Sequence, residues 1–480
     1  MISFGGLVRP GGMAKGYLPY SVDQRLLLPL DMRDWLPEGH LALFILDVVL
    51  ELDLSAIERV HAAKDPRGRA GYHPAMMVAL LIYAYSVGKA SSRRIERATY
   101  EDVAFRVLAG DQHPDHDSIA NFRKEHLGAL AGLFTQVLKL CQKAGLVKLG
   151  HIAIDGTKIK ANASKHKAMS YDRMGEAERK LEQEVQALLE EAARVDAEED
   201  ATHGKGKRGD EIPEELRRRE SRLRKIREAK AELEREAKEK ADAKVAEVAE
   251  KLADRARQEA ETGHKPGGPA PKAPDPEDAK PEPKAQRNFT DPESRIMPDG
   301  ANKGAFVQAY NAQIAVDDEA QIIVAVLLTQ SPNDVQQLVP MAEAITANVG
   351  QLAKITSADA GYFSAQNVEH PALGATNLLV PPDRQKHGTT PNAEPPGEDA
   401  SPAQRMRYKL SSPEARALYK MRKAIVEPVF GQIKEARGIR RFLLRGFAAA
   451  TAELGFIALT HNLLKLFRRG RAPASLAQAV

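Results

Sequence analysis

The sequence predicts an α/β protein in which a mixed sheet is flanked by helices, follows an all-α region and is interrupted by a long helical insertion. β-forming runs at residues 151–160, 306–316 and 322–329 are alternating or continuously apolar, which is typical of strands. Residues 26–147 instead repeat apolar residues at three- and four-residue spacing, and residues 165–261 are rich in Glu, Lys, Arg and Ala. These patterns exclude an all-β chain.

The composition fits a globular protein with some solvated segments, since 43% of residues are hydrophobic and 28% are charged. A net charge of +4 and a pI near 8.8 are weak evidence for a nucleic-acid partner, so the distribution of charge has to decide. The single cysteine, Cys141, excludes a disulfide framework within the chain and favours a reducing compartment. No apolar run looks long enough to span a bilayer and no export signal is recognisable, which predicts a cytoplasmic protein with no membrane partner.

Residues 1–25 are rich in Gly and Pro and are expected to form a flexible arm, and residues 26–147 are expected to form a helical DNA-binding domain. Two short predicted helices carry basic pairs near hydroxyl or acidic caps. These pairs are Arg93 with Arg94 and Arg123 with Lys124. Short helices joined by Gly-containing turns are typical of helix-turn-helix DNA readers, although a helical bundle with solvated charges fits the periodicity equally well.

The charged run at 165–261 predicts two long amphipathic helices that fold back as a coiled-coil hairpin around a basic turn at 203–209. Residues 262–286 are rich in Pro and Lys, which predicts a disordered linker. Setting these segments aside joins residues 148–164 to residues 287–470, and the two together are expected to form the catalytic domain. Whether the hairpin dimerises, binds DNA or acts as a spacer stays open.

Two predicted strands and one predicted helix each carry an acid that a purely structural element would not need. Asp155 lies in the strand at 151–160, Asp359 ends the run ITSADA, and Glu427 lies in an apolar helix. Burying an unpaired carboxylate is costly, so each acid predicts a metal, a cation or a second acid nearby. With the insertion set aside, the element order βββαβαβα is that of the ribonuclease H-like fold, where such residues meet at one sheet edge.

Carboxylates without Cys or His partners favour Mg²⁺ or Mn²⁺. Two such ions roughly 3.5 to 4 Å apart would support in-line displacement at a phosphodiester. On a regular helix Glu427 and Lys434 lie two turns apart on one face, so Lys434 is expected to bind substrate phosphate beside the metal. A solvated helix face is the alternative, but the apolar neighbours of these residues favour the functional interpretation. Asn311 and Gln313 on a predicted strand face either this site or solvent, and a helix is expected to begin with Asn333 or Asp334 as its cap.

Three motifs together carry a resemblance to a known family. They are AIDGTKIKANAS around Asp155, ADAGYFS around Asp359, and a Y-R-E-K set formed by Tyr419, Arg422, Glu427 and Lys434. With these motifs the chain resembles bacterial insertion-sequence transposases of the DDE class over nearly its whole length. The N-terminal segment GYHPAMMVALLIYAYSVGKASSRRIE is similar to the helical domain that precedes the catalytic domain in many such enzymes. One departure is that four residues rather than three separate Arg422 from Glu427, so Lys423 is an alternative for the Arg position.

The resemblance implies that the protein binds the terminal inverted repeats of an insertion sequence, cleaves DNA there and transfers the freed 3′-hydroxyl into target DNA. It also implies a homo-oligomer that holds two DNA ends, in the bacterial cytoplasm near the nucleoid. The metal ligands would be Asp155, Asp359 and Glu427. The residues expected to contact DNA are Lys158, Tyr419, Arg422, Lys434, Arg93, Arg94, Arg123 and Lys124. A ribonuclease H-like nuclease or resolvase that cuts without joining shares the same acids, and an inactive DNA-binding relic is the other alternative.

Overall fold

The computed structural model describes most of the chain as ordered elements and connections. The described residues are 31–62, 71–203, 214–264, 267–300, 302, 304–383 and 394–470. The predicted N-terminal arm at 1–25 and residues 204–209 of the predicted basic turn lie outside this range.

The N-terminal region is all helical, as predicted. Its helices are α1 (Leu41–Glu51), α2 (Ser55–Ala62), α3 (Pro74–Ser86), α4 (Ser92–Glu101), α5 (Val103–Leu108), α6 (His116–Glu125) and α7 (Leu127–Lys143). Helix α3 begins at a proline, where the missing amide proton costs nothing, and His73 caps it by accepting from the Ala75 amide at 3.2 Å. Because almost every residue of α3 is apolar, the helix is buried on nearly all sides.

The rest of the chain alternates strands and helices around the long insertion. In order these are β1 (His151–Lys160), β2 (Ala168–Ser170), α8 (Tyr171–His203), α9 (Glu214–Thr262), β3 (Gln286–Asn288), β4 (Arg295–Pro298), β5 (Phe306–Asp317), β6 (Ile323–Thr329), α10 (Leu338–Val349), β7 (Ile355–Ser357), α11 (Ala365–Val368), β8 (Asn377–Leu379), α12 (Pro402–Ser411), α13 (Pro413–Gly431) and α14 (Phe447–Arg468).

Strand β1 lies at the centre of a six-stranded mixed sheet. It pairs antiparallel with β5, which pairs in turn with β4 and β6, and it pairs parallel with β7, which pairs with β8. The register places Asp155 opposite Ile314 of β5 and Ser357 of β7 opposite Ala153. This mixed sheet with flanking helices confirms the predicted fold class and brings the end of β7 next to the strand that carries Asp155.

Helices α8 and α9 pack against each other as the predicted hairpin. Their contact is an apolar stripe that includes Met174, Leu181, Leu223, Ile226 and Leu233. Strands β2 and β3 form a two-stranded ribbon beside the hairpin. Between Thr262 and Gln286, the residues that are described form no helix or strand. The insertion is therefore attached to the sheet through a short ribbon.

Helix α14 departs from the expectation that no apolar run reaches membrane-spanning length. The helix begins at Phe447 and is long and apolar enough to cross a membrane by composition, but 72% of that stretch is buried inside the protein. It packs against α7, α3 and β6. This burial is what a core helix requires, and it makes one hydrophobic core that runs from the N-terminal helices into the catalytic sheet.

Candidate catalytic site

Asp155 is held in the middle of the sheet by its own strand and by a cation from α13. Its Oδ1 accepts from the Gly156 amide at 2.8 Å, and its Oδ2 accepts from Arg422 Nη1 at 3.2 Å. The pKa of the Asp155 carboxyl is raised to about 6, mainly by burial; Arg422 opposes this rise, and the nearby carboxylates of Asp359 and Asp334 contribute to it. Three acids therefore converge here around one guanidinium group.

Asp359 lies just beyond the end of β7, the strand that pairs parallel with β1. Its Oδ1 accepts from the Gly361 amide at 2.8 Å and so caps a single turn at Ala360–Tyr362. A Cβ atom on Gly361 would lie 3.0 Å from this Oδ1, so glycine keeps the space beside the carboxylate open. The Tyr362 side chain is fully buried, and its hydroxyl donates to Gln313 Oε1. The site wall on this side is thus fixed by β5.

Asp334 is an acid of this site that the sequence analysis treated only as a helix cap. Its side chain makes no cap hydrogen bond and instead accepts from Asn311 Nδ2 at 2.6 Å and Gln313 Nε2 at 2.7 Å. Lys158 Nζ lies 3.7 Å from the same oxygen. Asn311 and Gln313 are two positions apart on β5 and so point to one face, which was the available signal that this face of the strand is functional.

The backbone beside the acids is built for close approach. A Cβ atom on Gly156 would lie 2.4 Å from Gln313 Nε2 and 2.9 Å from Asp334 Oδ1. A side chain at this position would displace the Gln313 amide and the Asp334 carboxylate from β1, so glycine allows their close approach. The glycine that follows Asp155 in the motif AIDGTKIKANAS therefore has a steric reason as well as a chemical one.

Helix α13 brings Arg422 and Tyr419 to the acids but leaves Glu427 at the surface. Arg422 is 7% exposed, and its guanidinium carbon lies 5.9 Å from the centre of the Tyr419 ring. Glu427 is exposed and makes no hydrogen bond or ion pair within the described part of the chain. Five residues of α-helix turn the chain by about 140° relative to Arg422, which explains the different direction of this side chain. The structure thus joins Asp155, Asp359 and Asp334, and does not join Glu427 to them.

Lys434 follows α13 in a π-helical segment, Gln432–Ala436, rather than in regular α-helix. Its ammonium group donates to Thr157 Oγ1 and to the Lys158 carbonyl at 3.0 Å, and burial lowers its pKa. The predicted shared face with Glu427 is not observed, because that prediction assumed an unbroken α-helical period. In this structure Lys434 joins the end of the helix to β1.

The N-terminal basic residues that were predicted to contact DNA divide into an exposed group and a buried one. Arg93 and Arg94 on α4 and Lys124 on α6 are exposed. Arg123 is 6% exposed, and its Nη1 donates to the Tyr85 hydroxyl at 3.2 Å and the Ala90 carbonyl at 2.9 Å. Arg123 lies on the buried face of α6, so it is not placed to contact DNA in this structure.

The donor set of the acid cluster fits a hard divalent cation. All of its donors are oxygens, and Asn311 Oδ1 is buried beside Asp334 with no hydrogen-bond partner in the described residues. No group of three or more carboxylate, imidazole or thiol side chains among the described residues is arranged to hold a metal ion by itself. A Mg²⁺-type ion keeps positions for water and phosphate, so an incomplete protein cage is compatible with it.

Comparison with known proteins agrees with this geometry. Residues 30–125 match the family model described as a transposase domain (DUF772), and residues 271–463 match the model of the transposase DDE domain. The chain belongs to the DDE transposases. No curated protein and no solved structure matches the transposase. The DDE match includes Asp359 and Glu427 but begins after Asp155. Strand β1, which carries Asp155, pairs with β5 and β7 of the matched region.

The transposase therefore acts on DNA and is an enzyme of nucleic-acid cleavage and transposition. Its family generally uses divalent metal ions, in keeping with the all-oxygen donors of the acid cluster.

Proposed function

We propose that the transposase binds the terminal inverted repeats of its insertion sequence and catalyses metal-dependent cleavage and strand transfer. The observation that carries this proposal is the convergence of Asp155 and Asp359, which are about 200 residues apart in the sequence. Both acids lie beside the carboxyl end of β7, where phosphodiester chemistry can be assembled. The family assignment supplies DNA as the substrate.

The proposed metal ligands are Asp155 and Asp359, with Glu427 as the third acid of the triad, and the expected cofactor is two Mg²⁺ or Mn²⁺ ions. When bound, such ions activate a water or a 3′-hydroxyl and stabilise the leaving oxygen. Arg422 orients the Asp155 carboxylate through its hydrogen bond. Asp334 holds Lys158, Asn311 and Gln313 in place around the acids.

The proposed DNA contacts divide between the two regions of the chain. Near the acids, Lys158, Tyr419 and Lys434 are proposed to face the scissile strand. Arg422, which is 7% exposed and bonded to Asp155, is proposed to act through that carboxylate. In the proposed DNA-binding domain at 26–147, the exposed side chains Arg93, Arg94 and Lys124 are proposed to contact phosphates. The catalytic domain is proposed to comprise residues 148–164 and 287–470, and a homo-oligomer is proposed to hold two element ends.

The test is cleavage and joining by the purified transposase on a labelled fragment of its own element end, with Mg²⁺ and with EDTA. The variants Asp155→Asn, Asp359→Asn and Glu427→Gln should each lower the cleavage rate more than about 100-fold. This is more than the loss caused by removing a hydrogen-bond partner of a metal ligand. Glu414→Gln, an exposed acid at the start of the same helix as Glu427, is the matched control and should keep full activity.

Three outcomes would contradict the proposal in different ways. Cutting without any joined product would favour the nuclease or resolvase. Binding without chemistry in any metal would favour an inactive relic. Full activity of Glu427→Gln would remove Glu427 from the triad while leaving the two aspartates in place.

A further inference from the structure

Away from the acids, the first turns of α9 and the end of the β2–β3 ribbon enclose an open groove of about 780 Å³. Six of the side chains that line it are basic, and none of the described lining residues is Asp or Glu. We call this feature the basic groove; its basic residues are His166, Lys167, Arg217, Arg218, Arg222 and Lys225. Such a one-sign cluster concentrates anions.

Three other cations of α9 are neutralised by acids of the neighbouring helix. Arg219 pairs with Glu184 at 3.2 Å, and Arg227 and Lys230 pair with Glu178 at 3.1 and 2.8 Å. In contrast, Arg222 and Lys225 are exposed and have no ion pair within the described residues. Arg222 and Lys225 are therefore available to an anion in the groove.

The floor of the basic groove is apolar and rigid. Ile226 is 1% exposed in the hairpin core, and Met169 and Phe289 of the ribbon pack against that core. Arg287 of β3 forms ion pairs with Glu236 at 2.5 Å and Glu232 at 3.3 Å, which ties α9 to the ribbon. The groove is therefore held between α9 and the ribbon.

The basic groove is also within reach of the DNA on which the acids would act. His166 follows Asp155 by about eleven residues, so the two are at most roughly 40 Å apart even for a fully extended chain. At 3.4 Å per step this corresponds to about a dozen base pairs of duplex. Positions 218, 222 and 225 share one helix face over about 10 Å, which suits a run of phosphates better than a single small anion.

We propose that the basic groove binds the phosphate backbone of the DNA that the active site holds. The inference rests on the proposed function for its substrate, and it assigns a role to the insertion. Because phosphate contacts carry no sequence information, the groove should hold element-end and unrelated duplexes alike.

The experiment measures the dissociation constant of the full chain at several salt concentrations, in EDTA so that no cleavage occurs. Two duplexes of equal length are used, one from the element end and one of unrelated sequence. For the double variant R222Q/K225Q, the slope of log affinity against log salt should fall by about 2 for both duplexes. R224Q/K244Q, which removes two exposed cations of α9 outside the basic groove, is the matched control and should leave the slope unchanged.

Loss confined to the element-end duplex would overturn the proposal, because phosphate contacts carry no sequence information and should be lost for both duplexes alike. An unchanged slope in R222Q/K225Q, or an equal fall in the control pair, would overturn the proposal. Loss of self-association with unchanged DNA affinity would overturn it too, since the groove would then bind a second copy of the chain. These binding results are independent of the cleavage rates of the acid variants, so failure of either proposal is recognisable.

Discussion

Replacing Asp334 tests whether the acid cluster binds a metal ion or is only structural. Asp334→Asn keeps the size of the side chain but removes the charge near Lys158. We expect the Mg²⁺ concentration for half-maximal cleavage to rise about 10- to 100-fold, as for loss of an outer partner of a metal site. The measurement is a metal titration of cleavage.

The control for this titration is Glu343→Gln, an exposed acid on α10, the helix that follows Asp334. An unchanged metal requirement in Asp334→Asn, together with an unchanged rate, would mean that Asp334 only supports the β5 amides.

Arg123 and Arg93 make a matched pair of arginines with opposite expected effects. Arg123→Gln removes a buried charged donor from Tyr85, whose hydroxyl donates to Glu453 at 2.8 Å. We expect the free energy of unfolding to fall by about 2 to 3 kcal/mol in denaturant titration. Arg93→Gln at an exposed position should change it by less than about 0.5 kcal/mol but weaken DNA binding. A stable Arg123→Gln that loses DNA affinity would refute the structural role.

At the scale of elements, one acid holds the insertion to the sheet. Glu236 of α9 pairs with Arg287 at 2.5 Å and with Arg295 at 2.7 Å, and Arg287 is 6% exposed. Glu236→Gln leaves a buried guanidinium partly uncompensated, which should cost roughly 2 kcal/mol. Hydrogen exchange of the β3 and β4 amides should become faster accordingly.

Glu239→Gln, one turn closer to the C-terminus of α9 and exposed, should leave this exchange unchanged. Equal exchange in both variants would show that apolar packing alone attaches the hairpin.

Helix α14 carries a buried histidine that makes stability depend on pH. His461 Nε2 lies 2.9 Å from the Gln321 carbonyl oxygen, and burial, helped by the positive charges of Arg437, Lys465 and Arg468, lowers the pKa of His461 to about 3. An unfolded histidine titrates near 6.5, so between these values the unfolded state holds one more proton. This contribution is complete above about pH 6.5 and falls by about 1.4 kcal/mol per unit as pH is lowered.

The measurement is the free energy of unfolding from pH 7 to pH 4 for the wild type and for His461→Gln, which can still donate to the carbonyl. The variant should have a shallower slope, by about one proton. Identical slopes would contradict a neutral His461 in the folded protein.

At the scale of the whole molecule, the N-terminal helices and the sheet share one core, and this limits how the chain can be divided. A fragment of residues 148–470 would expose the face of α14 that packs against α7 and α3. We expect this fragment alone to be insoluble or to lack cooperative unfolding, because a large apolar surface would lose its cover.

Co-expression with residues 26–147 should restore a soluble complex with the circular dichroism of the intact chain. A fragment of 148–470 that unfolds cooperatively by itself would contradict the shared core and support two independent domains.

Local patterns in the sequence were sufficient for the fold class, the helical hairpin, the acids Asp155 and Asp359 and the family. Strand and helix periods are set by side chains a few residues apart, and the motifs around these two acids are contiguous, so both can be read without knowing the fold. The predicted strands at 306–316 and 322–329 are confirmed as β5 and β6.

Only the tertiary structure decided which side chains face the site and which face the core. Asp334 reaches the acids through β5, Arg123 lies on the buried side of its helix, and the π-helical segment separates Lys434 from Glu427. Each outcome depends on how a helix or strand is rotated against elements distant in the sequence. That rotation is set by packing of the whole core, which no local pattern records.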